Sequence, residues 1–461
     1  MPAARSDIFD IAIIGAGVVG CALARRFTLD GARVLVLEKA AELLDGASKA
    51  NSAILHTGFD APPGSLEQAC IAAGYREYLA IHQKLGLPIL RTGAMVLAWN
   101  DTEAAALAGL VAKAHANGVA DVGEISRAEA LAREPHLASH LRGAIEVPGE
   151  YLIDPWSSAH AYMLQALANG ARLRRDCEVT GGAFDGESWQ LQTSQGAFFA
   201  RHVITSAGLY GDLVDQRLTG RSNYQIRPRK GQFVVFDKAA SRLAGAVLLP
   251  VPTKTTKGVV IFRTIFGNLA VGPTAEEQQS RDEATCDRAT LEMLRARAIE
   301  MLPELENYEI TAAYAGLRPA SEHQDYQIST DLAPHYVSVG AIRSTGLSAA
   351  LGIASHVAGL VGLSGRAPLQ DPAMVRADRL SDYHPRDWQS PGHGAIVCHC
   401  ERVTRREIEA ALSGPIAPRT LQGLKRRTRV TMGRCQGFYC LAELAKITRG
   451  RLDPPLGEDD E

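Results

Sequence analysis

The sequence has little net charge, few aromatic residues and no long apolar run. Its net charge is −2 over 461 residues, and 6% of the residues are aromatic. Such a balance gives no basic surface for nucleic acid, so no nucleic-acid partner is expected. The most apolar N-terminal stretch, Ile11 to Ala24, contains three glycines, lacks a basic flank and cleavage site, and is too short to span a bilayer. The chain is therefore predicted to be cytoplasmic, without direct membrane insertion, and any membrane association is expected to run through a partner.

Cysteine is also scarce for this length, and its distribution is uneven. Eight cysteines in 461 residues do not form the disulfide framework of a small secreted domain. Four of them are scattered singly and are interpreted as small buried apolar residues: Cys21, Cys70, Cys177 and Cys286. The other four lie in two close pairs near the C-terminus, and this clustering is typical of a metal site.

The N-terminal segment has the pattern of a dinucleotide-binding βαβ unit. An apolar run, Ile11 to Ile14, leads into Gly15-x-Gly17-x-x-Gly20, and a second apolar run ends in Glu38. Gly15 permits a tight turn, Gly17 lets the backbone approach a pyrophosphate, and Gly20 lets the helix pack closely on the strand. Glu38 would accept hydrogen bonds from the adenosine ribose. The fingerprint alone does not separate FAD from NAD.

The segments that follow carry a family resemblance. Residues 47–59, Ala-Ser-Lys-Ala-Asn-Ser-Ala-Ile-Leu-His-Thr-Gly-Phe, resemble the flavin-cradling loop of the D-amino-acid oxidase superfamily. The nearest likeness is to anaerobic glycerol-3-phosphate dehydrogenase large subunits and L-2-hydroxyglutarate dehydrogenases. Further matches are Ile153–Pro155, Val203–Gly208, Arg229–Gln232, Gly267–Thr274, Tyr314–Pro319 and Ser344–Ala350. The resemblance covers residues 8 to 370 and implies FAD as the cofactor.

The length exceeds what one hydrophobic core usually serves, and the resemblance implies how the chain is divided. An α/β fold is expected, with a Rossmann-like FAD-binding domain, an inserted antiparallel β substrate domain and a small C-terminal α-rich domain. Short strand patterns at Phe233–Phe236, Val259–Phe262 and Leu269–Gly272 agree with the inserted β domain. The predicted ranges are 1–90, 145–228 and 312–368 for the FAD domain, 91–144 and 229–311 for the substrate or lid domain, 369–392 for a linker and 393–455 for the C-terminal domain.

The resemblance also assigns residues to the FAD. A switch from small and hydroxylated residues to a helical pattern at residues 344–357 would place a helix N-terminus beside the flavin, where its dipole stabilises negative charge. A plainly capped helix is the alternative. The predicted cofactor residues are Gly15, Gly17, Gly20, Glu38, Lys39, Ser48, Asn51, Ser52, Val179, Ala207, Gly208, Gly346 and Leu347.

Three residues are candidates for handling substrate. In the resembling families the histidine that corresponds to His56 lies near the flavin, and three roles stay open for it: proximity without acid–base duty, a general base, or a covalent flavin link. By the same resemblance Arg318 points at an anionic substrate group, with a loop-fixing ion pair as the alternative. Arg343 would add a second cation for a dianionic substrate, and a surface salt bridge is the competing role. Three more cations are candidates for positive charge on the lid, and the alternative is that they lie on a solvated strand face: Lys254, Lys257 and Arg263.

The C-terminal cysteines are spaced C-x-C, then thirty-four residues, then C-x-x-x-x-C: Cys398, Cys400, Cys435 and Cys440. This resembles the bacterioferritin-associated ferredoxin-like domain, which implies a 2Fe–2S cluster with two thiolates on each iron. Zinc is the rival, but structural zinc prefers about two to four residues between paired cysteines, so the C-x-C pair counts against it. A basic run would offset cluster charge, dock an acidic partner or form a solvated helix: Lys425, Arg426, Arg427, Arg429 and Arg434. His399, between two ligands, is assigned no role.

Together these features predict an FAD-dependent dehydrogenase. Its substrate would be a small anionic hydroxyl compound, glycerol 3-phosphate-like or a 2-hydroxy acid, and electrons would leave through the cluster to a partner flavoprotein or electron-carrier subunit. Two other functions stay open: an amine- or opine-type enzyme that oxidises a C–N bond, and a non-catalytic electron-transfer subunit.

Overall fold

A computed structural model gives the fold and describes residues 8–252, 258–363, 365–377 and 380–457. Two large sheets with packed helices form the body of the molecule, and a small helical unit follows. Lys254 and Lys257, the two lysines expected to add charge to the lid, lie outside the described residues. No helix in the described ranges is long and apolar enough to cross a membrane.

The helices of the described chain are α1 Val18–Leu29, α2 Leu66–Leu85, α3 Asp101–Ala116, α4 Arg127–Arg133, α5 Ser157–Ala168, α6 Gly211–Thr219, α7 Arg288–Met301, α8 Gly346–Val361, α9 Arg405–Ser413, α10 Leu421–Thr428 and α11 Leu441–Thr448. The strands are β1 Phe9–Ile14, β2 Val34–Leu37, β3 Ile54–Leu55, β4 Ile89–Leu90, β5 Ala94–Ala98, β6 Gly123–Ile125, β7 Gly143–Val147, β8 Tyr151–Ile153, β9 Arg172–Arg174, β10 Val179–Phe184, β11 Trp189–Thr193, β12 Gly196–Thr205, β13 Ile226–Phe236, β14 Val247–Pro250, β15 Val260–Arg263, β16 Leu269–Gly272, β17 Glu276–Glu277, β18 Ile310–Ser321, β19 Gln327–Ser329, β20 Tyr336–Gly340, β21 Ile396–Cys398 and β22 Val403–Thr404.

The first sheet contains the N-terminal βαβ unit. β1 lies between β2 and β12 and is parallel to both, while β9 and β20 extend the parallel part on either side. Every residue of β1 and β2 is buried, which explains the apolar runs Ile11–Ile14 and Val34–Leu37, since both faces of a parallel sheet are covered. α1 packs against α5 and α8, and α2 packs against α8. This arrangement confirms the predicted Rossmann-like α/β fold.

The second sheet is mostly antiparallel and is the predicted β domain. Its order is β17-β13-β16-β15-β14-β5-β7-β6, with β18 paired to β13. The long pair β13 and β18 sets Arg229 opposite Arg318. The three strands expected from sequence occur as β13, β15 and β16, although β13 starts earlier, at Ile226, because its first residues pair with the end of β18.

The strands can be compared with the predicted domain ranges. Most strands of the second sheet fall within 91–144 and 229–311, but β7 ends at Val147 and β18 continues to Ser321. The predicted linker 369–392 runs along the body: the Leu369 amide donates to the Leu29 carbonyl and the Ala377 amide to the Leu85 carbonyl, each at 2.8 Å. The ranges themselves stay a prediction.

The C-terminal unit has its own small core. The β21–β22 hairpin and three short helices surround buried side chains such as Val403, Ile408, Leu424 and Leu444. Its connection to the first sheet is also apolar, because Ile416 packs into the core around α1 and α8. The expected α-rich C-terminal domain is therefore confirmed.

Candidate functional site

A cavity of about 580 Å³ opens between the two sheets, beside the carboxyl end of β1. Ligands of open α/β sheets bind at this end of the strands. Of the predicted site residues, fourteen line the cavity: Gly15, Gly17, Glu38, Lys39, Ser48, Asn51, Ser52, Val179, Ala207, Gly208, Arg318, Arg343, Gly346 and Leu347. Gly20 and His56 are not among the lining residues.

The turn between β1 and α1 forms one end of the cavity. Gly15 has a left-handed φ of 102°, and a Cβ on Gly20 would lie 1.9 Å from the Gly15 carbonyl oxygen, so this turn requires both glycines. The Glu38 carboxylate accepts hydrogen bonds from the amides of Ala16, at 2.6 Å, and Ala40, at 2.9 Å. Burial raises its pKa. Gly20 therefore acts beneath the cavity, as its predicted packing role requires.

The loop after β2 forms the floor. The Ser48 hydroxyl accepts a hydrogen bond from the Val18 amide at 3.1 Å, which joins this loop to the start of α1. Asn51 Oδ1 accepts from the Ala53 amide at 2.7 Å, and the Asn51 carbonyl accepts from the Tyr314 hydroxyl at 3.0 Å. The loop is thus held between the FAD-type sheet and β18 of the second sheet.

The N-terminus of α8 faces the cavity through Gly346 and Leu347. The preceding residue, Thr345, does not cap the helix. Its hydroxyl instead donates to Glu67 Oε1 at 2.6 Å and contacts the Tyr326 hydroxyl at 2.7 Å. With its own cap turned away, the positive end of the helix is directed at the cavity, where it stabilises developing negative charge. The alternative of a plainly capped helix is wrong.

Arg318 supplies a buried positive charge. Its guanidinium donates to backbone carbonyls only: Arg229 at 3.4 Å, Lys230 at 3.1 Å and Thr274. No carboxylate in the described chain lies within ion-pair distance of it. Burial, reinforced by Arg229 and Arg343, lowers its pKa to about 10, so the group is still cationic at neutral pH. Arg318 therefore makes no ion pair in the described chain, and its role toward substrate stays a prediction.

The other two arginines proposed from sequence lie differently. Arg343 lines the cavity and donates to the Gln324 carbonyl at 2.6 Å, with a left-handed φ of 56°. Such backbone strain often accompanies a functional position. Arg263 donates to the Gly245 carbonyl at 2.8 Å and is not a lining residue. Of these two arginines, Arg343 lines the cavity with Arg318 and Arg263 does not.

His56 is held by a residue that sequence reasoning missed. Its Nδ1 lies 2.8 Å from Oε2 of Glu150, whose side chain is fully buried. The other oxygen of Glu150, Oε1, accepts hydrogen bonds from the Thr57 amide at 2.6 Å and from the Thr57 hydroxyl at 2.8 Å. The carboxylate assigns the proton to Nδ1 and leaves Nε2 as a lone-pair acceptor. Glu150 carries no motif, and its only signal is a single acid directly before β8.

The C-terminal cysteines converge as two pairs. The thiol of Cys400 is hydrogen-bonded to that of Cys435, and the thiol of Cys398 to that of Cys440. A 2Fe–2S cluster takes two thiolates on each iron, and the two pairs of thiols meet that requirement.

The loop between Cys435 and Cys440 directs backbone amides at the Cys435 sulfur. The Tyr439 amide donates to the Cys435 sulfur and lowers its pKa, with help from the Gly437 and Phe438 amides. Amides directed at ligating sulfurs stabilise the reduced cluster.

The scattered cysteines are buried as predicted except Cys286, which is exposed because it lies in the surface segment before α7. That expectation for Cys286 was wrong.

Most of the basic run docks the C-terminal unit on the body. Arg426 reaches Asp45 at 3.3 Å, and Arg434 pairs with Asp237. At the start of α10, Glu42 Oε1 accepts from the amides of Arg419, at 2.6 Å, and Thr420, at 2.8 Å. The solvated-helix interpretation is therefore wrong for the buried Arg426, whereas Arg434 stays exposed while it pairs with Asp237.

One contact joins all three units. The buried Arg429 pairs with Glu401 at 2.9 Å and lies 3.9 Å from the centroid of the Phe266 ring, between β15 and β16. Phe266 stacks on Trp156 with ring centroids 5.7 Å apart. The Trp156 indole in turn donates to the Lys49 carbonyl, in the cavity floor, at 3.0 Å. Packed side chains thus run from the cavity to the residue after Cys400.

Comparison with known protein families agrees with this geometry. The model of the DAO family, FAD dependent oxidoreductases, matches residues 10–360, and the model of the BFD-like 2Fe–2S binding domain matches residues 396–449. The chain belongs to the DAO family. The predicted family, fold and cofactors are confirmed: this DAO-family enzyme binds FAD and carries a 2Fe–2S domain.

Individual relatives extend over most of the chain. It is similar to a glycerol 3-phosphate dehydrogenase of Caloramator mitchellensis, with 30% identity over 98% of this chain and 96% of that protein. A subunit of the anaerobic glycerol-3-phosphate dehydrogenase of Escherichia coli K12 is 24% identical over 96% of this chain and 88% of the relative. Among solved structures, FAD-bound L-alpha-glycerophosphate oxidase from Mycoplasma pneumoniae has a TM-score of 0.74 and 26% identity, covering 79% of this chain and 97% of that chain.

Proposed function

We propose that this DAO-family enzyme oxidises the secondary hydroxyl of glycerol 3-phosphate and sends the electrons through its 2Fe–2S domain to a partner protein. The observation that carries the substrate class is the buried Arg318 guanidinium, which lines the cavity and bonds only to carbonyls within the described chain. A guanidinium left with free donors binds a phosphate or carboxylate well. Relatives named for glycerol 3-phosphate favour the phosphate ester.

The chain's own residues would divide the work as follows. Arg318 and Arg343 would bind the phosphate dianion, which orients the carbinol carbon in the cavity. His56 would accept the hydroxyl proton at Nε2, while Glu150 holds Nδ1–H and stabilises the charge on the imidazole. When bound, FAD supplies the hydride acceptor and the cluster a one-electron acceptor.

A partner is inferred from the cluster and from one relative. The C-terminal unit places its cysteines away from the cavity, and only a carrier of single electrons needs such a relay. The similar protein from Escherichia coli is named as one subunit of its enzyme. We therefore infer an assembly in the cytoplasm with an electron-accepting protein or carrier, which would also provide any membrane association.

The test is an anaerobic titration of purified holoenzyme. Glycerol 3-phosphate, L-2-hydroxyglutarate and N-methylated amino acids are added separately while flavin absorbance and cluster EPR are followed, with glycerol as the uncharged control. We expect glycerol 3-phosphate to bleach the flavin and bring up the signal of the reduced cluster. Bleaching by the amino acids alone would establish C–N oxidation instead. If only dithionite or a reduced protein bleached the flavin, the chain would be an electron-transfer subunit.

A further inference from the structure

The loop that carries two of the four cysteines exposes large apolar side chains. In the described ranges nine large apolar residues are exposed, and three of them fall within four positions: Phe438, Tyr439 and Leu441. Phe438 is 81% exposed and Tyr439 is 73% exposed. Such a concentration beside a redox site is unlike the single exposed apolar residues that any surface carries. We call these three residues the aromatic patch.

The loop backbone holds the aromatic patch outward. Within the loop the Phe438 amide donates to the Cys435 carbonyl at 3.0 Å, and the amides of Cys440 and Leu441 donate to the Gly437 carbonyl, each at 3.0 Å, so the loop cannot rotate without giving up these hydrogen bonds. Gln436 Nε2 also donates to the Thr311 carbonyl at 3.1 Å, which ties the loop to the body. The two rings meet edge to face with centroids 5.2 Å apart. The patch is therefore a fixed surface over the Cys435–Cys440 segment.

The unit that carries the aromatic patch is basic. Residues 393–457 contain 12 Lys and Arg against 5 Asp and Glu, a net charge of +7, whereas the whole chain has −2. Many of these cations dock the unit on the body, but others on the same unit are exposed to solvent, among them Arg402, Lys446, Arg449 and Arg451. Arg402 lies two residues after Cys400, and Lys446 is on the helix that starts next to Cys440. An acidic partner would be attracted to this unit.

We propose that the aromatic patch is the docking surface for an acidic electron-carrier protein, which takes one electron at a time from the cluster. This proposal rests on the proposed function. In each transfer the cluster loses one electron, the carrier gains it, and no bond is formed or broken. Aromatic side chains at the centre with charged residues around them are the composition of protein interfaces. An anionic membrane is the weaker occupant, because the patch is small and Glu443 lies on the same short helix.

The experiment uses holoenzyme and two acidic carriers, a flavodoxin and a plant-type 2Fe–2S ferredoxin. The variant is F438S/Y439S, and the control is M293S, which changes an exposed apolar residue on α7. Kd is measured by calorimetry at low and high salt, and carrier reduction is followed by stopped flow after the flavin has been reduced with substrate. We expect at least one carrier to bind, with weaker binding at high salt, and the double variant to raise Kd on the order of 30-fold.

Several outcomes would overturn the proposal. These are binding of neither carrier, an unchanged Kd in the double variant, or binding only to phosphatidylglycerol vesicles. Flavin bleaching by substrate without any carrier is recorded first in each variant. If that step fails, the proposed function fails; if it succeeds and carrier binding is insensitive to F438S/Y439S, only the docking surface is refuted. The cluster EPR signal with dithionite checks that the variant still assembles its cofactor.

Discussion

Replacing Arg318 by alanine tests whether the cavity recognises an anionic substrate. The guanidinium is positioned by three backbone carbonyls, at 3.4 Å for Arg229, at 3.1 Å for Lys230 and at short range for Thr274, and has no carboxylate partner in the described chain. Its pKa of about 10 keeps it charged at the pH of an assay. A hydrogen bond to a charged group contributes about 1.5–3 kcal/mol, so R318A should lower kcat/KM for glycerol 3-phosphate about 10- to 150-fold.

The assay compares glycerol 3-phosphate with glycerol under anaerobic turnover with a dye acceptor. R318A should lose most of the preference for the phosphate ester, because uncharged glycerol gains nothing from the guanidinium. R318K keeps the positive charge but loses the two parallel donors of the guanidinium, so its preference for the phosphate ester should be intermediate between wild type and R318A. R288A is the control, since that arginine is 92% exposed and pairs only along its own helix. A kcat/KM for R318A within twofold of wild type, with Tm unchanged, would refute the assignment.

Three further predictions concern residues outside the cavity wall. Glu150→Gln should lower kcat about tenfold or more with KM retained, because His56 loses the carboxylate that orients it; rapid-mixing kinetics of flavin reduction test this. Glu42→Ala should destabilise docking of α10 by about 1–3 kcal/mol, since two partly buried amides lose a charged acceptor, and faster hydrogen exchange at residues 419–428 is the readout. Hydrogen bonds from Gln232 and from the first turn of α7 lower the pKa of Asp287 to about 2, below the ordinary value of about 3.9. The ionised Asp287 carboxylate therefore stabilises the folded protein above pH 4, and this stabilisation is lost as pH falls toward 2. The Tm of wild type should exceed that of D287N above pH 4, and the difference should shrink over that range.

The local patterns of the sequence predicted the first sheet and the cofactor segments well. The residues Ile11 to Ile14 of β1 and all of β2 are apolar because both faces are buried, and the glycines Gly15 and Gly20 are required by the turn itself. These are local constraints, so they can be recognised without knowing the fold. The ends of β13 and β18 could not be predicted, because they depend on pairing between residues far apart in the chain, such as Ile226 with Ser321.

The parts of the site that sequence missed depend on long-range contacts. Glu150 lies ninety-four positions from His56, and only the fold brings the two side chains together. The solvated-helix interpretation fails for Arg426 for the same reason, because its partner Asp45 belongs to a distant segment. Cys286 was predicted to be buried and is exposed. It lies in a polar surface segment without helix or strand periodicity, so its exposure could not be predicted from the sequence.

The loop after β2 links the FAD cavity to the cluster unit. Its first and last polar residues, Glu38 and Ser48, accept amides at the β1–α1 turn, while Glu42 and Asp45 between them hold α10 and Arg426 of the C-terminal unit. The same eleven residues must therefore be ordered for both the cavity and the docked unit. A substitution that disorders this segment is therefore expected to weaken both the wall of the cavity and the docking of α10, because the same backbone carries both sets of contacts.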